Sequence, residues 1–110
     1  MYFCREKDRS GEIITLAGKV IPGAQKKLIS VGERIQLVQI EFSAGLTIPE
    51  HSHPEEQAGY IVEGKFEVNI GGEKGILERG DYYWIPGDVL HSGYVHEDTI
   101  LLDIYSPPRL

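Results

Sequence analysis

His51 and His53 are two of the four histidines in the chain, and a single residue separates them. In a β-strand, successive side chains alternate between faces, so residues two apart point the same way. Two imidazoles on one face, with Cα atoms roughly 6.5–7 Å apart, can share a metal ion at about 2.0–2.1 Å from each nitrogen. The alternative is a pair of exposed loop histidines, and this spacing alone does not decide between the two.

The elements that would position these histidines are short strands. The chain has 110 residues with 13 glycines and 6 prolines, which favours a single domain of strands joined by tight turns. Alternating apolar and polar residues predict the main strands at 34–42, 59–70, 73–78, 82–86, 90–95 and 99–105. Gly71 and Gly72 predict a hairpin turn. We therefore predict an all-β sandwich or barrel over residues 1–110, with the barrel core at 34–110.

The first 33 residues have a weaker pattern. Short strands are predicted at 12–16 and 27–31, and Ile21, Pro22 and Gly23 together predict a turn between them. We expect residues 1–33 to form an N-terminal arm with the first short strands.

Composition excludes several classes of partner. The net charge of −6 disfavours nucleic acid, because binding phosphates requires a basic surface. No apolar run reaches the ~20 residues that span a bilayer, and the charged N-terminus has no signal-peptide core. A cytoplasmic location without membrane attachment is expected. Cys4 is the only cysteine, so no disulfide forms within the chain and no role is assigned to it.

Two spaced motifs support the metal interpretation. The first is Gly45-x5-His51-x-His53-x3-Gln57-x6-Gly64 and the second is Gly80-x5-Pro86-x4-His91. Together they resemble the two motifs of the cupin superfamily, in the order found there, and the resemblance extends over most of residues 35–105. It implies a double-stranded β-helix, or jelly-roll, barrel of the RmlC-like type that binds a divalent metal. The metal ligands implied by this resemblance are His51, His53, Gln57 and His91.

Three positions depart from the usual cupin pattern. Asp88 and Val95 replace a glycine and an asparagine, and neither change disturbs a ligand. Gln57 replaces a glutamate and is either a neutral ligand or a surface amide without a metal role. With Gln57 bound, every protein ligand is neutral, which favours Lewis-acid chemistry over oxygen activation. Zn, Ni, Mn, Fe and Cu all suit imidazole ligands. His96 is interpreted as a surface histidine.

The last predicted strand carries a second group of polar residues. Asp103 and Tyr105 share one face, and a carboxylate in an apolar strand is costly to bury without a partner. Asp103 either lies at a sheet edge, pairs with Arg109, or faces the barrel mouth beside the metal.

The ending Asp103-Ile-Tyr105-Ser-Pro-Pro-Arg109 is similar to that of small cupins of pectin and alginate degradation. Those proteins convert unsaturated monouronates from the cyclic form to linear keto sugars. The resemblance implies an enzyme acting on a small carboxylate-bearing substrate, with Asp103, Tyr105 and Arg109 as its catalytic residues. A metal-dependent dioxygenase and a non-catalytic small-ligand binding or sensing cupin are the alternative functions.

Three adjacent aromatic residues precede the second motif, at Tyr82, Tyr83 and Trp84. Since strand residues alternate, at least one of them faces outward. The run is either half core and half exposed or part of a subunit interface, where aromatic residues are enriched. We expect a homodimer, the most frequent homo-oligomer.

Overall fold

Eight β-strands make up most of the structure, a computed structural model that describes residues 2–16 and 18–109. The strands are β1 (Gly11–Leu16), β2 (Lys19–Val31), β3 (Gln36–Phe42), β4 (Thr47–His51), β5 (Glu56–Ile70), β6 (Glu73–Glu78), β7 (Tyr82–Ile85) and β8 (His91–Ser106). Within the described residues the only helical element is a 3₁₀ turn at Glu6–Asp8, and no helix there is long and apolar enough to cross a membrane. The prediction of an all-β fold is confirmed.

The two longest strands, β5 and β8, form the centre of the fold. They pair with each other in antiparallel fashion along almost their whole length. The first half of β8 also pairs with β4 and its second half with β3, while the first half of β5 pairs with β7 and its second half with β6. Register shifts near Glu63 and Lys65 let the central pair bend. All eight strands belong to one hydrogen-bonded sheet, in the order β1-β2-β3-β8-β5-β6 with β4 beside β8 and β7 beside β5, and this sheet folds around the core.

The core follows the alternation expected of half-buried strands. Val38 and Ile40 of β3 face inward and are buried, as are Phe66 and Val68 of β5. The predicted hairpin is also present, since Gly71 and Gly72 join β5 to β6 with positive φ angles of 58° and 91°. Such φ angles cost glycine little.

The N-terminal segment differs from its prediction. The predicted turn at residues 21–23 is wrong, because β2 continues through it and pairs with both β1 and β3. Gly23 has a φ of 86°, which bends the strand without ending it. Ile21 and Ala24 belong to the buried core. Residues 19–31 are thus a barrel strand and not part of an arm.

One further element differs in extent. The two strands predicted at 90–95 and 99–105 are a single strand, β8, that bends without a break. Its second half keeps the predicted alternation, with Leu101, Asp103 and Tyr105 buried and Ile104 exposed.

Candidate metal centre and active site

Three histidines meet at one end of the barrel. His51 is the last residue of β4, and it lies opposite His91, the first residue of β8, in the β4–β8 ladder. His53 follows two residues later in the loop that leads to β5. Potential ligand nitrogens of all three rings lie within 4.8 Å of one another. The spacing of the first motif predicts that His51 and His53 lie on one face. The pairing of β4 with β8 places His91, the histidine of the second motif, beside them.

Backbone carbonyls orient each imidazole. The Nδ1 atoms of His51, His53 and His91 lie 2.7, 3.0 and 2.9 Å from the carbonyl oxygens of residues 49, 55 and 89. An Nδ1–H that donates to a carbonyl leaves the lone pair on Nε2. The Nε2 of His91 is buried without a hydrogen-bond partner, and a buried imidazole nitrogen with a free lone pair is what a metal ion requires. The three residues therefore fit a divalent metal.

Gln57 is the polar side chain that adjoins this cluster from β5. It is buried, and its Oε1 lies 3.0 Å from Nε2 of His53. With Nδ1 of His53 donating to the carbonyl of Glu55, both the Oε1 and the Nε2 present lone pairs to the same space. That arrangement suits a shared cation. The alternative of a surface amide is wrong, whereas the ligand role of Gln57 stays a prediction.

Two glutamates, Glu55 and Glu56, follow His53 closely in the chain. Glu56 is exposed and accepts a 2.7 Å hydrogen bond from Trp84 Nε1 on the outside of the barrel. Glu55 lies 3.5 Å from the Nδ1 of His53 and 3.9 Å from the Nε of Arg109. Neither carboxylate is part of the histidine cluster that fits the metal.

Asp103 is buried in the cavity that the three histidines line. Its side chain is on the inward face of β8, with only 5% of its surface exposed. The Tyr83 hydroxyl donates to Oδ1 at 2.6 Å, and the Tyr105 hydroxyl donates to Oδ2 at 3.4 Å. The alternative of a solvent-facing aspartate is wrong. Pairing with Arg109 is also absent, because the ion pair of Arg109 within 4.0 Å among the described residues is with Glu55.

Burial shifts the titration of these groups. It raises the pKa of Asp103 to about 6, against hydrogen bonds from Tyr83, Gln57 and Tyr105 that favour the ionised form. Burial likewise lowers the pKa of His91 to about 4 and also lowers the pKa of His51. Both imidazoles are therefore neutral at pH 7, the form that ligates metals.

Arg109 closes the cavity from the C-terminal segment. Its backbone N–H donates a 2.7 Å hydrogen bond to Gln36 Oε1 on β3, and its guanidinium carbon lies 5.9 Å from the centre of the Tyr105 ring. The side chain is half-buried and lines the cavity. All seven residues to which the sequence assigned a role line this one cavity: His51, His53, Gln57, His91, Asp103, Tyr105 and Arg109.

Four further polar residues line the cavity without having been predicted from the sequence, namely Thr15, Lys26, Tyr83 and Ser92. Tyr83 is the buried member of the aromatic run, while Tyr82 and Trp84 are exposed, as the half-core interpretation predicts. Its contact with Asp103 depends on strand pairing, for which the sequence has no signal. Lys26 of β2 also lines the cavity. Its alternation with Lys27 is a signal in the sequence, but the weak pattern of residues 1–33 predicts an arm there and not a barrel strand.

His96 lies outside the cavity. It is exposed, and its Nε2 is 3.0 Å from Glu67 Oε1 on the barrel surface. Its interpretation as a surface histidine is confirmed.

Comparison with known proteins agrees with this architecture. The family model of the cupin domain matches residues 38–105. The chain belongs to the cupin family. The cupin is 34% identical over 89 residues to the pectin degradation protein KdgF of Dickeya dadantii, a match that covers 79% of this chain and 81% of that protein.

Two solved cupin structures have the same fold. The structure of KdgF from a Halomonas species superposes with a TM-score of 0.88 at 29% identity and covers 99% of this chain and 96% of that one. An RmlC-like cupin from Shewanella frigidimarina superposes with a TM-score of 0.88 at 28% identity and covers 99% and 93%. The predicted jelly-roll barrel is confirmed.

Proposed function

We propose that this cupin is a metal-dependent enzyme that converts an unsaturated monouronate from its cyclic form to the linear keto sugar. The observation that carries the proposal is a single cavity with a histidine cluster, a buried aspartate and an arginine. Similarity to two KdgF proteins, one described as a pectin degradation protein, supports uronate as the substrate class. The ending from Asp103 to Arg109 carries the resemblance to uronate-linearising cupins.

The metal would be held by the Nε2 atoms of His51, His53 and His91 and by the Gln57 amide oxygen. A divalent ion in this set acts as a Lewis acid that polarises a bound sugar oxygen. Because all four ligands are neutral, none of them offsets the charge of the ion. Zn, Ni, Mn, Fe and Cu all remain candidates for such a ligand set.

Cationic side chains provide the means of binding the uronate carboxylate. The Arg109 guanidinium has a planar arrangement of donors that matches a carboxylate in a bidentate pair. The ion pair of Arg109 with Glu55 is long, at 3.9 Å, so a substrate carboxylate can compete for the guanidinium. Lys26 adds a second positive charge at the cavity wall. A bound divalent metal, Arg109 and Lys26 together would outweigh the carboxylates of Asp103 and Glu55, so that the cavity would attract an anion.

Asp103 is the group placed to move a proton. Opening of the sugar ring requires removal of a proton from one oxygen and its return to another atom, and a buried carboxyl beside the substrate can perform both steps. Tyr105 lines the cavity next to His53, with ring centres 5.7 Å apart. Its ring shapes the pocket, and its hydroxyl is a further donor to Asp103 or to the substrate.

The test is turnover of 4,5-unsaturated uronates by the purified protein after its metal content has been measured. We expect loss of the unsaturated sugar without oxygen consumption, and no turnover of saturated uronates. Asp103→Asn is expected to lower turnover about 10²- to 10⁴-fold while the metal content is unchanged. Undiminished turnover by this variant would remove Asp103 from the mechanism.

Other outcomes identify the alternative functions. Oxygen uptake linked to substrate loss would indicate a dioxygenase. Tight binding of a uronate without turnover would indicate a binding or sensing protein. The cytoplasmic location and the homodimer stay predictions.

A further inference from the structure

The hydroxyl of Tyr83 reaches the carboxylate of Asp103 across an intervening strand. We propose that Tyr83 is a positioning residue that fixes the orientation of Asp103 for proton transfer, and that Gly59 provides the space for this contact. The inference rests on the proposed function, in which Asp103 is the acid–base group.

Strand pairing explains why the contact is unusual. Gly59 on β5 pairs with Tyr83 on β7 on one side and with Asp103 on β8 on the other. Tyr83 and Asp103 are thus two strand spacings apart, or about 9.4–9.8 Å between backbones. A tyrosine side chain reaches that far only when its ring lies across the residue between them.

The residue between them has no side chain. A Cβ at position 59 would overlap Cζ of the Tyr83 ring and would lie 2.5 Å from its hydroxyl oxygen. Real Cβ contacts are not that short, and the ring is buried and cannot move aside without leaving Asp103. Gly59 therefore permits the contact. The φ angle of Gly59 is not among the positive values of the chain, so close approach and not backbone conformation is the reason for glycine here.

The two oxygens of the Asp103 carboxylate accept hydrogen bonds of different lengths. The 2.6 Å hydrogen bond from Tyr83 to Oδ1 is short for an O–H···O bond, whereas the 3.4 Å contact from Tyr105 to Oδ2 is long. Oδ1 is therefore held, and Oδ2 is the oxygen left to exchange a proton with the substrate. Without the Tyr83 hydroxyl, Asp103 keeps only its hydrogen bonds from Gln57 and, at 3.4 Å, from Tyr105, and the carboxylate is held less firmly against rotation about its Cβ–Cγ bond.

The decisive experiment compares Tyr83→Phe with Tyr82→Phe in the metal-loaded protein. Both changes remove one hydroxyl from β7, but that of Tyr82 is on the exposed face. We expect Tyr83→Phe to lower kcat roughly 10- to 100-fold, with KM and metal content unchanged. Tyr82→Phe is expected to behave as the wild type. In the double variant with Asp103→Asn, the loss is expected to equal that of Asp103→Asn alone, because Tyr83 acts through Asp103.

A crystal structure of metal-loaded Tyr83→Phe measures the orientation directly. We expect a rotated or disordered Asp103 carboxylate with the three histidines in place. Gly59→Ala, a second variant, is expected to displace the Tyr83 ring and to lower kcat in the same way.

The inference is overturned if Tyr83→Phe keeps full kcat while Asp103→Asn is inactive. It is also overturned if the two changes have independent, multiplicative effects, or if the Asp103 carboxylate keeps its orientation in the variant structure. Full activity of Asp103→Asn would contradict the proposed function itself, so the two failures are distinguishable.

Discussion

At the scale of single residues, Gln57 determines the charge of the proposed metal site. Its amide oxygen lies 3.0 Å from Nε2 of His53 in a buried setting, where most cupins have a glutamate. An anionic ligand binds a cation more strongly but also offsets part of its charge. As a metal ligand, the neutral amide of Gln57 would therefore bind the ion less strongly than a carboxylate and would leave it more able to polarise a substrate.

Gln57→Glu tests this effect of ligand charge with almost no change in the shape of the side chain. We expect the variant to retain its metal against a chelator longer than the wild type, because a carboxylate adds charge attraction at short range. Turnover of the unsaturated uronate is expected to fall. Gln25→Glu adds the same charge at an exposed position on β2 and is expected to change neither quantity. Equal chelation rates for Gln57→Glu and the wild type would contradict a ligand role for residue 57.

Burial of the Asp103 carboxylate lowers the stability of the folded protein. The pKa of Asp103 in the folded protein is about 6, compared with an ordinary value of 3.8, so the folded state binds the proton more tightly than the unfolded state. The buried carboxylate therefore destabilises the fold above pH 6, and this penalty disappears as the pH falls towards 4.

Asp103→Asn is accordingly expected to stabilise the metal-free protein at pH 7.5 by about 1–3 kcal/mol. The gain should shrink between pH 6 and 4, and urea unfolding at several pH values measures it. His51 and His91 titrate in both proteins and largely cancel in the difference. Asp8→Asn, at an exposed turn, serves as the control. A difference that does not vary with pH would show that the charge of Asp103 is not the cause.

At the scale of elements, prediction succeeded where a strand keeps a strict two-residue alternation. β3, β6 and the second half of β8 do so. The limits of β6 agree with the prediction, β3 begins two residues later than predicted, and β8 ends one residue later than predicted. β2 does not, because the bend at Gly23 places the buried residues Ile21 and Ala24 three apart. A Pro-Gly pair is typical of both turns and bends, and only the pairing partners distinguish them.

Prediction of the site residues from the sequence has the same limit. Motif spacing identified the histidines and Gln57, which lie close together in the chain or on paired strands. Tyr83 and Lys26 lie in the cavity through pairing between β5 and β7 and between β2 and β3. The partner strands of such contacts cannot be read from a single sequence, although the alternation of Lys26 with Lys27 does indicate that one of the two lysines faces inward.

We expect Lys26 of β2 to take part in substrate binding. The charge lines the cavity, whereas the adjacent Lys27 faces the outside and lies 3.5 Å from Glu41. We expect Lys26→Gln to raise KM for the uronate roughly 2- to 5-fold at low salt, the size of a partly exposed charge pair. kcat should change little, and the effect should diminish with added salt. Lys27→Gln is the matched control, and an equal effect of both variants would place Lys26 outside the binding site.

At the scale of the whole molecule, the outer face of the sheet around β5 is unusually apolar. Cross-strand pairing sets Tyr60 beside Tyr82 and Leu102, and sets Ala58 beside Trp84 and Ile104. Tyr82 and Trp84 are 68% and 54% exposed. An aromatic surface of this kind is typical of an interface core. None of these paired residues is charged, and the nearby Glu56 accepts a hydrogen bond from Trp84. In a protein of net charge −6, a second copy that meets these residues therefore brings few charges into the interface.

The homodimer is therefore expected to use this face, with a two-fold axis that sets each copy against the same residues of the other. Tyr60→Arg should convert the dimer to a monomer, because symmetry places the new charge in the interface twice and leaves it without a partner. Size-exclusion chromatography with light scattering measures the mass. Ile76→Arg changes an exposed apolar residue on β6, outside this face, and should leave the dimer intact. A monomeric wild type would contradict the homodimer, and a dimeric Tyr60→Arg would place the interface on a different surface.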